Sequence, residues 1–297
     1  MNNSAFIFDG QGHQFNNFGK DFYENDTVFK KFVDKYKEKF DLNEVYEKDE
    51  NDINTEKFQP ATFLVEMAIA QMLKQKGISA NNFAGSSLGE YSALCSANFF
   101  SVEDGIELLK KRGNLMNDAL SKIDSGMMAI MFLDKDKVKD IAKVCNCEIS
   151  NINSFDQCVI SGLNSDLKVC ERKCIENGAR RTIKLASQGA FHSKYLKDIA
   201  TEFEDFLNNF KFNCENENNV YFNLTGKKEH TDIQRLLSKQ VYSTVNFLQI
   251  IINMLDDGID TFYEIGPGGN LAFHINNIAR TKGKKVTIYK INSYKDI

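Results

Sequence analysis

Three short apolar runs, each ending at glycines, constrain this chain more than any other feature. Residues 5–8 read AFIF and close on Gly10 and Gly12. A weaker run at 82–84 leads into Gly85 and Gly89, and TFYEI (261–265) opens into GPGG. The first, wholly apolar, reads as a buried strand, and the other two read as strands that run into glycine turns. The second and third are followed by helical spacing, as at 88 onward. Residues 61–75 (ATFLVEMAIAQMLKQ) carry apolar side chains at 64, 65, 68, 69, 72 and 73, which predicts a helix ended by Gly77. Another helix is expected over 103–121. Strands alternating with helices imply an α/β fold with a mainly parallel sheet.

The middle of the chain is organised differently. MMAIMFL, CEISNINS, QCVISG and ARRTIKLA read as strands, and KDKVKDIAKVC and SDLKVCERKCIENG as helices. Their order is βαββαβ, the split ferredoxin-like pattern. This predicts a small ferredoxin-like subdomain over 124–187, inserted into a larger unit made of 1–123 and 188–297.

Composition removes several classes of function. The chain has 297 residues and a formal net charge of −4, which gives no global attraction to nucleic acid or to an anionic membrane. The best apolar stretch, ATFLVEMAIAQML, is broken by Glu66 and is too short for a bilayer. The first residues lack a basic segment followed by a long apolar run, so no export signal is expected. Seven cysteines form no C-x-x-C pair, and no histidine stands at zinc-site spacing. Free thiols in a reducing cytoplasm, and no metal, are the expectation. Only four histidines occur, His13, His192, His230 and His274, so a histidine base must be one of them.

Gly85-Ser86-Ser87-Leu88-Gly89 fits G-x-S-x-G, the turn that presents a nucleophilic serine between a strand and a helix. Ser87 would sit at a helix N-terminus, where free N–H groups and the helix dipole favour developing negative charge. The Leu88 N–H is a natural oxyanion donor. Taken alone, the five residues also fit an ordinary glycine-rich turn before a helix. A serine hydroxyl further needs a base, an orienter for that base and oxyanion donors.

The order of the remaining motifs separates these readings. FIFDGQGHQ stands first, then the elbow, KRGNLM (111–116), NINSFDQCVISG (151–162), GAFHS (189–193), QVYSTVNF (240–247) and YEIGPGGNL (263–271). In this order the set resembles the malonyl-CoA:acyl-carrier-protein transacylases over nearly the whole chain. The resemblance implies an α/β-hydrolase-like large subdomain joined to the ferredoxin-like one. It implies Ser87 as nucleophile and His192 as base. The base would be oriented by a backbone carbonyl, at the position held here by Asn246, without a carboxylate. Gln11 and Leu88 would supply the oxyanion N–H groups. Arg112 would grip the malonyl carboxylate, a task suited to a guanidinium fork. Phe191 would narrow the pocket to malonyl. Malonyl-CoA is then the substrate, no bound cofactor is needed, and the partner is an acyl carrier protein of fatty-acid or polyketide synthesis. The chain is expected to act as a monomer. Acidic carrier proteins suggest a basic rim, with Arg180, Arg181 and Lys184, or Arg280, Lys282, Lys284 and Lys285, as candidates.

Gln59, in a QP pair, is placed near the site. His13 is a loop residue at the cleft, and His230 and His274 are given no catalytic role. GPGG lacks the Walker lysine and reads as a structural turn at the site wall. Three positions depart from the family pattern: Asp9 and Phe155 replace prolines, and Ser86 replaces a histidine. Two further readings stay open: an acyl-thioester hydrolase of the same fold, disfavoured by Arg112, and a non-catalytic module that docks carrier proteins.

Overall fold

The computed structural model describes residues 3–10, 17–46, 55–186, 189–268 and 270–297. The chain begins with β1 (Ser4–Phe8), followed by helices α1 (Lys20–Asn25), α2 (Thr27–Tyr36), α3 (Asn43–Tyr46) and α4 (Thr55–Gln75). Then come β2 (Asn82–Gly85), α5 (Gly89–Ser96) and α6 (Val102–Leu120). The middle contains β3 (Ser125–Met131), α7 (Lys135–Val144), β4 (Glu148–Ser154), β5 (Gln157–Leu163), α8 (Asn164–Glu176) and β6 (Arg181–Lys184). The chain returns through α9 (Ile199–Leu207), β7 (Asn219–Tyr221), α10 (Ile233–Gln240) and α11 (Phe247–Asp256). It finishes with β8 (Thr261–Ile265), α12 (Leu271–Thr281) and β9 (Thr287–Ile291).

The expected parallel sheet is present, in the order β7-β2-β1-β8-β9. β1 pairs with β2 on one side and β8 on the other, with Phe8 opposite both Gly85 and Ile265. The three central strands therefore end level. Their glycine loops meet at the C-terminal edge, where open α/β sheets place ligand sites. Alternation along β1 divides the core: Phe6 and Phe8 join the α4, α5 and α6 side, and Ala5 and Ile7 join the α11 and α12 side. Burial on both faces is why AFIF carries no polar residue.

α4 extends further toward the N-terminus than the periodicity alone indicates, reaching back to Thr55 with Pro60 inside it. A proline interrupts the helix ladder by one N–H. Phe58, Gln59, Pro60 and Ala61 are all buried, so tertiary packing holds the turn in place.

The middle of the chain forms a separate antiparallel sheet in the order β4-β5-β3-β6. Strands two, three, one and four of the βαββαβ unit thus lie side by side, the ferredoxin-like arrangement. One face packs α7 and α8 over a core rich in cysteine, including Cys147, Cys158, Cys170 and Cys174. The other face, with Met127, Ala129 and Val159, turns toward Phe191 and α6. Backbone bonds from Ile152 to Val245 (3.0 Å) and from Val245 to Ser150 (2.8 Å) join this sheet to the large unit.

Candidate active site

Ser87 lies between β2 and α5 with φ at +54°, the left-handed region. That conformation costs a serine of order 1 kcal/mol and persists only where the surroundings impose it. They do so here through close packing at two glycines. A Cβ on Gly85 would fall 2.1 Å from the Gly89 carbonyl, and one on Gly89 would fall 2.3 Å from the Phe8 oxygen. The Ser87 N–H donates to Asn223 Oδ1 (2.7 Å), and the Asn223 amide donates to the Gly85 carbonyl (2.7 Å). The Leu88 N–H, at the N-cap of α5, has no acceptor among the described residues.

His192 also has a positive φ, +55°, and is 4% exposed. Its Nε2 is 2.7 Å from Ser87 Oγ. Its Nδ1 is 2.8 Å from the Gln240 carbonyl. A carbonyl can only accept, so Nδ1 carries the proton and Nε2 presents its lone pair to the serine hydroxyl. Burial, and then the nearby Arg112 cation, push the imidazole pKa down to about 4. His192 is therefore neutral near pH 7, as a base must be.

The orienting carbonyl belongs to Gln240, which corrects the sequence expectation of Asn246. Gln240 is the last residue of α10, where a helix leaves carbonyls free and its dipole is negative. The Asn246 carbonyl accepts from the Ile250 N–H (3.1 Å) in the first turn of α11, whereas the Gln240 carbonyl takes the Ser243 N–H (3.3 Å) and the His192 ring together. Its side-chain amide braces the 223–224 loop, donating to the carbonyls of Asn223 (3.2 Å) and Leu224 (3.0 Å).

Arg112 is 1% exposed on α6. It donates to Gln59 Oε1 (2.7 Å), Gln240 Oε1 (3.0 Å) and Ser87 Oγ (3.0 Å). Its guanidinium lies 5.4 Å from the Tyr91 ring centre. A buried cation is thus held beside the nucleophile by neutral amide oxygens. The Gln240 amide also donates to the Ser87 carbonyl and to Glu90 Oε2, both at 2.8 Å. Burial raises the Glu90 pKa to about 7, opposed by donors from Gln240 and Asn223 and by Arg112.

Gln59 stands at the site as expected. Phe191 is 7% exposed and packs with Met116, Leu120 and Met127. It lines a cavity of about 400 Å3 between the small sheet and the loop ends at Gly10 and Ser86. A wider groove, about 940 Å3, runs past the other side of His192 between α7 and residues 242–246. Gln11 and His13 lie outside the described residues. His230 stacks on Phe99, while His274 lines the 400 Å3 cavity from α12. Gln240, Glu90 and Asn223 were missed by sequence reasoning. Gln240 opens the quoted QVYSTVNF motif, but its role depends on where α10 stops.

An imidazole oriented by a carbonyl, a strained serine and a buried cation together suit an enzyme that parks an acyl group on oxygen. The class is acyltransferase. The chain belongs to the acyl transferase domain family, whose model matches residues 5–289. It is 33% identical over 291 residues to the malonyl CoA-acyl carrier protein transacylase of Bacillus subtilis, covering 94% of this chain and 92% of that protein. The crystal structure of malonyl CoA-acyl carrier protein transacylase from Clostridium perfringens superposes with a TM-score of 0.91 at 33% identity, covering 99% of this chain and 94% of that one. A malonyl-transacylase in complex with its type II polyketide-synthase acyl-carrier protein gives a TM-score of 0.91 at 26% identity, covering 99% and 97%. Among the described residues no helix is long and apolar enough to cross a membrane.

Proposed function

We propose that this chain moves a malonyl group from malonyl-CoA to the phosphopantetheine thiol of an acyl carrier protein, through an ester on Ser87. The observation that carries this reading is the buried Arg112 guanidinium 3.0 Å from Ser87 Oγ. An acyl group with a free carboxylate gives that cation an ionic partner better than the amide oxygens it now holds.

In the first half-reaction the Ser87 hydroxyl gives its proton to His192 Nε2 as Oγ attacks the thioester carbonyl. The oxyanion accepts the Leu88 N–H and, on the family resemblance, that of Gln11. The C–S bond breaks, and the CoA sulfur takes the proton from His192. In the second half the carrier thiol gives its proton to His192 and its sulfur attacks the ester. Ser87 Oγ leaves and recovers the proton. The Gln240 carbonyl at the end of α10 stabilises the transient imidazolium. Phe191 narrows the acyl pocket. Residues 124–187 act as a subdomain closing over the elbow, and no step calls for a cofactor. The candidate rim residues Arg180, Arg181, Lys184, Arg280, Lys282, Lys284 and Lys285 are all exposed, as docking of an acidic carrier requires. Free thiols at all seven cysteines fit a cytoplasmic setting. The comparisons lend the hydrolase reading no support.

Intact-protein mass spectrometry after brief exposure to malonyl-CoA tests this. Wild type should gain a malonyl adduct that a holo acyl carrier protein then removes, and Ser87→Ala should gain none. An adduct that decays to free malonate without reaching the carrier would reject transfer in favour of hydrolysis.

A further inference from the structure

Asp9, where the family pattern has proline, is a departure the reaction above leaves unexplained. It follows β1 directly and is 2% exposed. Its N–H donates to the Ile265 carbonyl (3.0 Å), continuing the β1–β8 pairing by one residue. Its Oδ2 accepts the Gly268 N–H at 2.7 Å. Gly266 lies against the same side chain: with φ at +151°, a Cβ there would fall 2.3 Å from Asp9 Cβ.

Two more buried carboxyls surround it. Glu264, on β8, accepts the Leu271 (2.7 Å) and Ala272 (3.1 Å) N–H groups at the start of α12. Glu264 lies close enough to Asp9 for the two carboxyls to act on each other's protonation. Glu66, on α4, accepts the Ser92 hydroxyl and lies close enough to feel the Asp9 charge. Burial pushes both glutamates above the ordinary carboxylate range, and Lys290 of β9 acts on Glu264 from the far side.

The backbone on the other side of Asp9 is equally tight. A Cβ on Gly10 would lie 2.4 Å from the Ser86 oxygen, and one on Gly89 would lie 2.5 Å from the Asp9 oxygen. A shift at residue 9 is therefore passed to Gly10 and to the elbow.

We propose that Asp9 is a positioning residue for acyl transfer: its carboxyl ties the strand end leading into the oxyanion loop to the Gly266–Gly268 turn. Where a proline would stiffen this point through its ring, Asp9 does so by hydrogen bonds to a neighbouring loop. The inference rests on the reading of Ser87 as the acylated residue.

The test compares Asp9→Ala and Asp9→Asn in the full chain, with malonyl-CoA as donor and a holo acyl carrier protein as acceptor. Losing the tie should lower kcat of Asp9→Ala roughly 10-fold, less than outright loss of an oxyanion donor, with KM for malonyl-CoA within about twofold. Asparagine still accepts from Gly268, so Asp9→Asn should return to within about threefold of wild type. Amide exchange over 266–268 should quicken in the alanine variant and not in the asparagine one. Unchanged kcat in Asp9→Ala, an effect on KM instead, or equal failure of both variants would overturn the proposal. If Asp9→Ala does not fold, loss of exchange protection at Gly268 in Asp9→Asn would overturn it. Failure of wild type to load malonyl would reject the function, while the exchange comparison would still judge the tie.

Discussion

Two buried polar clusters flank the elbow, and burial affects their acids differently. Behind Ser87, Glu90 receives the Gln240 amide (2.8 Å) and the Asn223 N–H (3.2 Å) and feels the Arg112 cation, so its pKa rises only to about 7. On the oxyanion side, Glu66 is fully buried, with the Ser92 hydroxyl as donor and Asp9 beside it, and its pKa is pushed well above the usual range. Desolvation disfavours both anions, but only the first cluster contains a cation within it. The difference teaches that the Gln240 and Asn223 donors, and after them the Arg112 cation, restrain the protonation of Glu90 beside the nucleophile. The other cluster must hold its own protons and serves architecture.

The sharpest way to break this contrast is to remove the cation. Arg112→Gln should lower malonyl loading of Ser87 roughly 100-fold or more, since the substrate carboxylate would be buried without a charged partner. Loading from acetyl-CoA should fall far less. Equal losses for both acyl groups would assign Arg112 to the serine and not to the carboxylate.

A smaller effect concerns Glu90. In the fold it keeps its proton to about pH 7, whereas an unfolded glutamate releases it near 4.5. The folded state holds the extra proton between those values, so wild-type stability falls as pH rises through them. The loss should be roughly 2–3 kcal/mol by pH 8. Glu90→Gln should lack it, which denaturant melts at pH 5 and pH 8 would reveal. Parallel losses in both proteins would show that Glu90 titrates normally.

The smallest effect separates Asn246 from Gln240. Asn246→Ala removes the brace on the 223–224 loop and should cost about 1 kcal/mol of stability. Turnover should stay within about twofold. Steady-state kinetics beside a thermal melt would check this, and a selective loss of turnover would return Asn246 to the site.

Much of the site was legible because its strongest signals are local. The tight turn around Ser87 needs glycines four residues apart, and the apolar period of two or 3.6 marks what must be buried. The ferredoxin-like unit was legible for the same reason, since each strand and helix carries its own pattern. What failed to show was whatever depended on a helix end or on a contact across the chain. Asn246 and Gln240 lie in one quoted motif, and sequence could not say which carbonyl faces His192. That follows from α10 stopping at Gln240 while α11 takes up the carbonyl of Asn246. Asp9 likewise shows its partners, the Ile265 carbonyl and the Gly268 N–H, only in the fold.

The sequence by itself marked the three glycine-ended strands and the inserted βαββαβ unit, and its family resemblance made Ser87, His192 and Arg112 the candidates. Only the tertiary structure decided their mutual geometry. Level strand ends bring loops from residues 9, 86 and 266 together, and α10 aims the Gln240 carbonyl at a neutral imidazole. Periodicity records which side of an element is buried, because burial acts on each side chain separately. Hydrogen-bond partners more than a hundred residues apart leave no such trace, because direction and distance between them are set by packing of the whole sheet.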